Sequence, residues 1–226
     1  MCFSPEGDLV GGLVVTAIGV DAYHHLRGRK DYLVFATVPL VLGFHQFDES
    51  IVWWSLEGPV PHSIGRVAMW IYLLIAMVVV PILIPVSIWR LQPTSRRRRV
   101  LAPFVALGIG VGTVLFIVML RGPVSVRLGT HHLAYSIGLR NGILIVGVYV
   151  LVTCGSLLCS GHRDIVIFGV ANLLAVVVLA RLTADGFTSL WCAYAAVASA
   201  FIALHIRRTV PPEAVPVPQV SPFSAL

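Results

Sequence analysis

Gly43-Phe44-His45-Gln46-Phe47-Asp48-Glu49-Ser50-Ile51-Val52-Trp53-Trp54 places a histidine, an amide, two carboxylates and two indoles inside an otherwise apolar run. A charged group at the centre of a bilayer costs about 2.5–3.5 kcal/mol on insertion scales, so ionisable residues in a spanning helix mark function by default. At helical spacing His45, Glu49 and Trp53 follow one another at i, i+4 and i+8, and Gln46 joins Glu49 at i, i+3, so these four share a face. Asp48 sits about 100° round from Glu49. The competing account is a helix end whose polar groups snorkel to water and headgroups.

The rest of the chain decides what surrounds that run. With 226 residues, 58% of them hydrophobic and 12% charged, and a mean hydropathy of +0.91, it is too apolar for an ordinary soluble domain. Crossing about 30 Å of hydrocarbon takes about 20 apolar residues. Seven runs qualify: 9–26, 32–54, 67–89, 101–120, 141–159, 165–182 and 188–206. Lipid offers no water to unpaired backbone groups, and these runs are continuous rather than alternating, so they predict helices and not barrel strands. The expected fold is an all-α membrane protein, a seven-transmembrane-helix bundle over residues 1–208. A disordered tail, 209–226, follows, rich in proline from Pro211 to Pro222.

Charge sets the expected orientation. With the N-terminus outside, eleven of the 16 Lys and Arg fall in inner connections, among them Lys30, the Arg96–Arg99 run and Arg207. The outer connections hold Arg66, Arg121, Arg127, Arg140 and Arg181. That excess predicts N-terminus out and C-terminus in. The net charge of +6 then reads as topology and contact with anionic inner-leaflet lipid. Nucleic-acid binding is the poorer account, since no soluble domain remains to carry a basic face. Residues 1–8 lack the basic n-region of a cleavable signal peptide, so the first run is expected to remain as a helix.

Along the chain, Asp21 and His25 close helix 1 at i, i+4, as an inner-surface cap beside Arg27 or as part of a metal site. Pro39, Pro81 and Pro85 predict kinks. Gly108, Gly110 and Gly112 give helix 4 a packing role. Trp70 and Tyr72 stand where interfacial belt anchors are found. The connection from Arg121 to Arg140 is long enough to fold back as a lid, and its His131 and His132 point different ways. Asp185, in a short turn, is a helix cap or an acid facing the same space as Glu49. Cys154 and Cys159 are read as small core residues, and Cys2 and Cys192 share a side on which a disulfide could form.

The opening Met1-Cys2-Phe3-Ser4, with the later Gln46-x-x-Glu49-x-x-x-Trp53, resembles a family of small bacterial integral membrane proteins. The resemblance covers the membrane region and implies that Cys2, Phe3 and Ser4 belong with Gln46, Glu49 and Trp53; it implies no activity. The departure is Ser50, where the resembled pattern carries a glycine.

Depth then gathers the candidates. His45, Gln46, Glu49, Trp53, Trp70, Tyr135, Asp185, Trp191 and Tyr194 all fall in the outer third, which predicts an aromatic-walled cavity with Glu49 at its polar centre. A carboxyl in apolar surroundings can keep its proton and serve as a general acid, and aromatic faces stabilise a passing cation by about 0.5–2 kcal/mol each. Those parts suit protonation-started cyclisation of an isoprenoid. The arrangement is similar in architecture to the seven-helix integral membrane terpene cyclases, whose essential carboxylates, in helix 2 and near helix 7, would correspond to Glu49 and Asp185. His45, Gln46, Trp53, Trp70, Tyr135, Trp191 and Tyr194 would line the substrate, with no cofactor and no metal. Two alternatives stand beside it. One is a small transporter or binding protein with Glu49 as a proton or cation site. The other is a metal hydrolase using His45, Glu49, His62, His131 or Asp185, against which no two histidines share a helix face at i, i+4.

Overall fold

The computed structural model describes the backbone of residues 4–26, 28–129, 133–139, 142–182 and 187–210, and the side chains of all these except 179–182 and 187–193. Among them the chain forms seven helical rods and one two-stranded hairpin. The rods are α1 (Pro5–His24), α2 (Leu33–Glu57), a third that joins α3 (His62–Leu74) to α4 (Val80–Leu91), α5 (Ser95–Arg121), α6 (Gly142–Leu158), α7 (Arg163–Leu182) and α8 (Phe187–Thr209). Each apolar run of the sequence becomes one rod. The ends lie where local chemistry puts them: Ser4 Oγ accepts from the Gly7 N–H at 3.1 Å with Pro5 opening α1, and Gly58, at φ 111°, closes α2.

Two rods, His62–Leu91 and Ser95–Arg121, are by themselves long and apolar enough to cross a membrane. α6 is apolar but only 17 residues long. α2 differs because its polar residues are turned into the protein: His45, Gln46, Asp48, Glu49 and Ser50 are all buried. What the surface shows instead is a dense set of bare apolar side chains, including Leu13, Phe44, Val67, Leu120, Leu144 and Leu174. Water-soluble monomers rarely present so continuous an apolar surface.

The third rod changes its hydrogen-bond pattern at its prolines. Pro81 has no N–H to give to the preceding turn, and Ile75–Val79 widens into a π-turn just before it. The Ala76 carbonyl takes a hydrogen bond from the Tyr149 hydroxyl of α6 at 2.8 Å instead. Pro85 likewise offers nothing to the Pro81 carbonyl, and α5 closes against that oxygen at Gly108, where any Cβ would collide. The glycines of α5 pack as expected at Gly108 and Gly112; Gly110 meets nothing within 4 Å.

α1 and α2 run antiparallel in the closest helix contact of the fold. A Cβ at Gly12 would stand 3.1 Å from the Gly43 carbonyl, one at Gly43 would strike Thr16 Oγ1, and one at Gly11 would be 2.6 Å from Gln46 Oε1. Ser50, in place of the glycine of the resembled pattern, is fully buried all the same and turns its hydroxyl to the Gln46 carbonyl at 3.2 Å.

The core has two parts. One, at the end holding the C-terminus of α1 and the N-terminus of α5, joins Phe35, Ile88, Leu101, Ile165, Ile202 and Ile206. The other joins Val52, Trp53, Met69, Leu73, Leu115 and Met119 beneath the hairpin. That hairpin, β1 (Ser125–Leu128) paired antiparallel with β2 (Leu133–Ser136), lies in the long connection expected to fold back. It does so, with Leu133 and Ile137 buried on α3 and α5.

One expectation needs correcting: Cys159 is exposed and only Cys154 of that pair is a core residue, because Cys159 ends the α6 turn. Asp21 and His25 pair at i, i+4 as expected, at 3.5 Å, and Asp21 also bonds Arg207 of α8, at 2.5 and 2.9 Å. The chain is helical as expected, with one short hairpin among the described residues. Residue 27, the Cys2–Cys192 pairing and the tail from residue 211 lie outside what is described.

Candidate functional site

The site is built on the middle of α2. Its polar run is buried on nearly every side because α1, α3, α4 and α8 all pack round this helix. Glu49 lies eight residues before the end of α2, which is about 12 Å at 1.5 Å per residue, and is 2% exposed. It therefore belongs to the protein interior, and a side chain snorkelling to water does not describe it.

α1 adds an acid that the sequence reading passed over. Asp8 is 1% exposed, on the face that carries Gly12, Val15 and Gly19. Since Gly12 stands against Gly43 in an antiparallel pair, one turn back along α1 brings Asp8 to the level of Gln46 to Ser50. The signal was legible: Asp8 precedes Gly12 by four and Val15 by seven, the spacing of a buried helix face. It was masked by taking the helix to start at residue 9.

Aromatic rings bind this half together. His45 stacks on Tyr72 of α3 with centroids 4.0 Å apart, and Tyr72 stacks on Tyr135 of β2 at 4.3 Å. The three rings run from α2 through α3 to the hairpin, so the lid is tied to the polar run. Trp53 is buried under the same hairpin, with no partner for its Nε1, and Trp70 packs against that cluster. Tyr72 had been read as a belt anchor, yet it is 2% exposed.

Asp48 takes a different face. It is 4% exposed and forms the floor of a groove between α2 and α3, with Ile51, Ile64, Val67 and Ile71 as walls. Its Oδ2 has no hydrogen-bond partner.

Tyr194 stacks loosely on Phe168 and lines a narrow interior cavity of about 60 Å³ with Thr153 and Asn172, walled by α2, α4, α6, α7 and α8. Asp185 and the Trp191 side chain lie outside the described residues, as do His131 and His132. His62 is exposed at the first turn of α3, about 15 Å along that helix from Tyr72, and so stands apart from His45. Among the described residues no three histidines, cysteines or acids gather as a metal site.

A second polar cluster, unforeseen from sequence, occupies the opposite end. Asp164 accepts from His205 Nδ1, joining the start of α7 to the end of α8. Tyr32, Phe35 and Phe201 ring that imidazole, and His162 meets it edge-on at 5.4 Å. Burial raises the Asp164 carboxyl and the His205 hydrogen bond lowers it, leaving it below the ordinary carboxylate value. Buried Gln92 ties the neighbouring turns by accepting from the Gly161 N–H at 2.9 Å, while its own carbonyl accepts from Arg98 Nε at 2.9 Å. An acid at a helix start and a histidine at a helix end look like ordinary dipole partners in sequence, which hid the pairing.

A family model described as "Family of unknown function (DUF6629)" matches residues 1–216. No curated protein and no solved structure matches the chain.

Proposed function

The chain belongs to the DUF6629 family, which brings no activity with it, and we propose that it is a multi-pass membrane enzyme whose seven rods cross the bilayer and whose Glu49 is a general acid. The N-terminus is outside, so the half holding α2's polar run, the ring stack and the hairpin is the outer one. One observation carries the reading: Glu49, Gln46, His45 and Asp8 are buried together in a helical half closed by the Tyr72–Tyr135 stack. Burying that many polar groups at such depth works against folding, so they are there for chemistry.

The reaction that suits these parts is cyclisation of an isoprenoid begun by protonation. Glu49 gives its proton to a terminal alkene or epoxide, ring closure moves the positive charge along the chain, and loss of a proton ends the sequence. Proton in and proton out balance, so the product is an isomer of the substrate. Trp53 and the face of Tyr135 turned away from Tyr72 are the aromatic faces this half offers a cation. Asp8 is a second buried carboxylate in this half, beside the expected Asp185, which lies outside the described residues.

The test is conversion of a linear polyprenyl-phenol, polyprenyl-indole or its epoxide by membranes carrying the protein. Wild type is expected to form cyclic isomers, and Glu49→Gln to lose about 10²–10⁴-fold in turnover while folding normally. Turnover by Glu49→Gln equal to wild type overturns the assignment.

A second reading has its own observation. The packing of Gly11 on Gln46 and Gly12 on Gly43 leaves little space between α1 and α2 at the level of the acids, which suits a bound proton or small cation of a transporter. Proton uptake by purified protein that Glu49→Gln abolishes, with no lipid converted, would select it.

A further inference from the structure

The geometry points to a lipid site on the flank of the bundle: the groove between α2 and α3 takes a single-chain lipid alcohol, with its hydroxyl on Asp48. The groove has a volume of about 420 Å³ and opens sideways over Ile64 and Val67, which are 52% and 60% exposed. That volume falls within the range of about 300–1,000 Å³ typical of small-molecule sites. The rim is apolar and the walls are aliphatic, so the occupant arrives from the hydrocarbon and carries an apolar chain.

The floor is what distinguishes this groove from an ordinary gap between helices. Asp48 is only 4% exposed, and while the Tyr72 backbone lies beside its carboxyl, its Oδ2 has no hydrogen-bond partner. A buried carboxyl oxygen left without a partner is an uncommon and costly arrangement. Ser63, at the groove's outer end, is the other polar lining side chain, and no lining residue is a cation. A hydroxyl both donates and accepts, so it completes Asp48 in either protonation state. A diacyl lipid would need a second channel that the groove, bounded by only two helices, does not provide.

Asp48 and Glu49 are consecutive and so about 100° apart on α2. The groove therefore opens on a different face from Glu49, and the inference stands whether or not Glu49 is a general acid.

The experiment uses the full chain in detergent micelles with three probes: farnesol, farnesyl methyl ether, which cannot donate, and farnesylamine. Farnesol is expected to raise the melting temperature saturably, with at least twice the shift of the ether or the amine. Val67→Trp fills the groove from a lipid-exposed position and should at least halve the farnesol shift, as should Asp48→Leu; Glu49→Gln should keep it. Equal shifts from farnesol and its ether overturn the hydroxyl contact, and a larger shift from the amine assigns a cation site instead. A farnesol shift unchanged in Val67→Trp overturns the groove, even where Asp48→Leu fails to fold.

Discussion

Glu49 and Asp48 are neighbours in the chain with different surroundings, and that difference governs what each substitution should do. Glu49→Gln removes an acidic proton while keeping shape, so its effect belongs in turnover. Asp8→Asn is informative beside it: if the two acids act as a unit, the double variant should lose no more activity than the worse single one, because groups that work together are strongly non-additive. Independent losses in a turnover assay would separate them. Trp53→Ala should alter product distribution more than rate, since an aromatic face guides a cation after the proton has moved; unchanged products from a slowed enzyme would count against that. Asp8 also shows what the sequence concealed. Its burial follows from a helix that starts four residues earlier than hydropathy alone placed it, because Ser4 and Pro5 start a helix at polar residues. Tyr194 lines a cavity shared by α2, α4, α6, α7 and α8, a position set by packing between distant segments that depth along the chain does not give.

At the scale of elements, two contacts carry predictions. Gly43→Ala would drive a methyl group into Thr16 Oγ1, which is buried without a partner, and overpacking of this kind costs about 1–3 kcal/mol. Thr16→Ala in the same chain should recover part of the lost thermal stability, the contacts with the Thr16 N and Gly12 O backbone atoms remaining; no recovery would count against the clash with the Thr16 hydroxyl. The π-turn gives a second pair. Tyr149→Phe strands the Ala76 carbonyl and should destabilise by about 1–3 kcal/mol, an effect that should shrink in a Pro81→Ala background where a regular helix can re-form. Equal costs in both backgrounds would contradict the proline as the cause. At the other end, the lowered Asp164 value means that its pairing stabilises above the unfolded carboxylate pKa and fades as pH falls below about 4. The melting-temperature gap between wild type and Asp164→Asn should close over that fall; a constant gap would refute the pairing. The rods themselves were readable because each is a long apolar run. The π-turn, the hairpin and the Asp164–His205 pair were not, since each depends on partners far away in the chain.

For the whole molecule, the two ends differ in kind. One gathers Arg29, Lys30, Arg90, the Arg96–Arg99 run, Arg163, Arg207 and Arg208; the other holds the buried acids under the hairpin, with Arg66, Arg121 and Arg127 as its described cations. Two rods satisfy the demands of a bilayer alone, and on the reading above the others cross as part of the bundle, with their polar faces turned inward. Composition made that division legible, because charge is sparse enough for each arginine to mark an end. The central claim, that the chain spans the membrane with its acid-bearing half outward, is tested most directly by reporter fusions. Alkaline phosphatase joined after Arg99 should be inactive and joined after Gly129 should be active. Activity after Arg99 with silence after Gly129 would contradict the account.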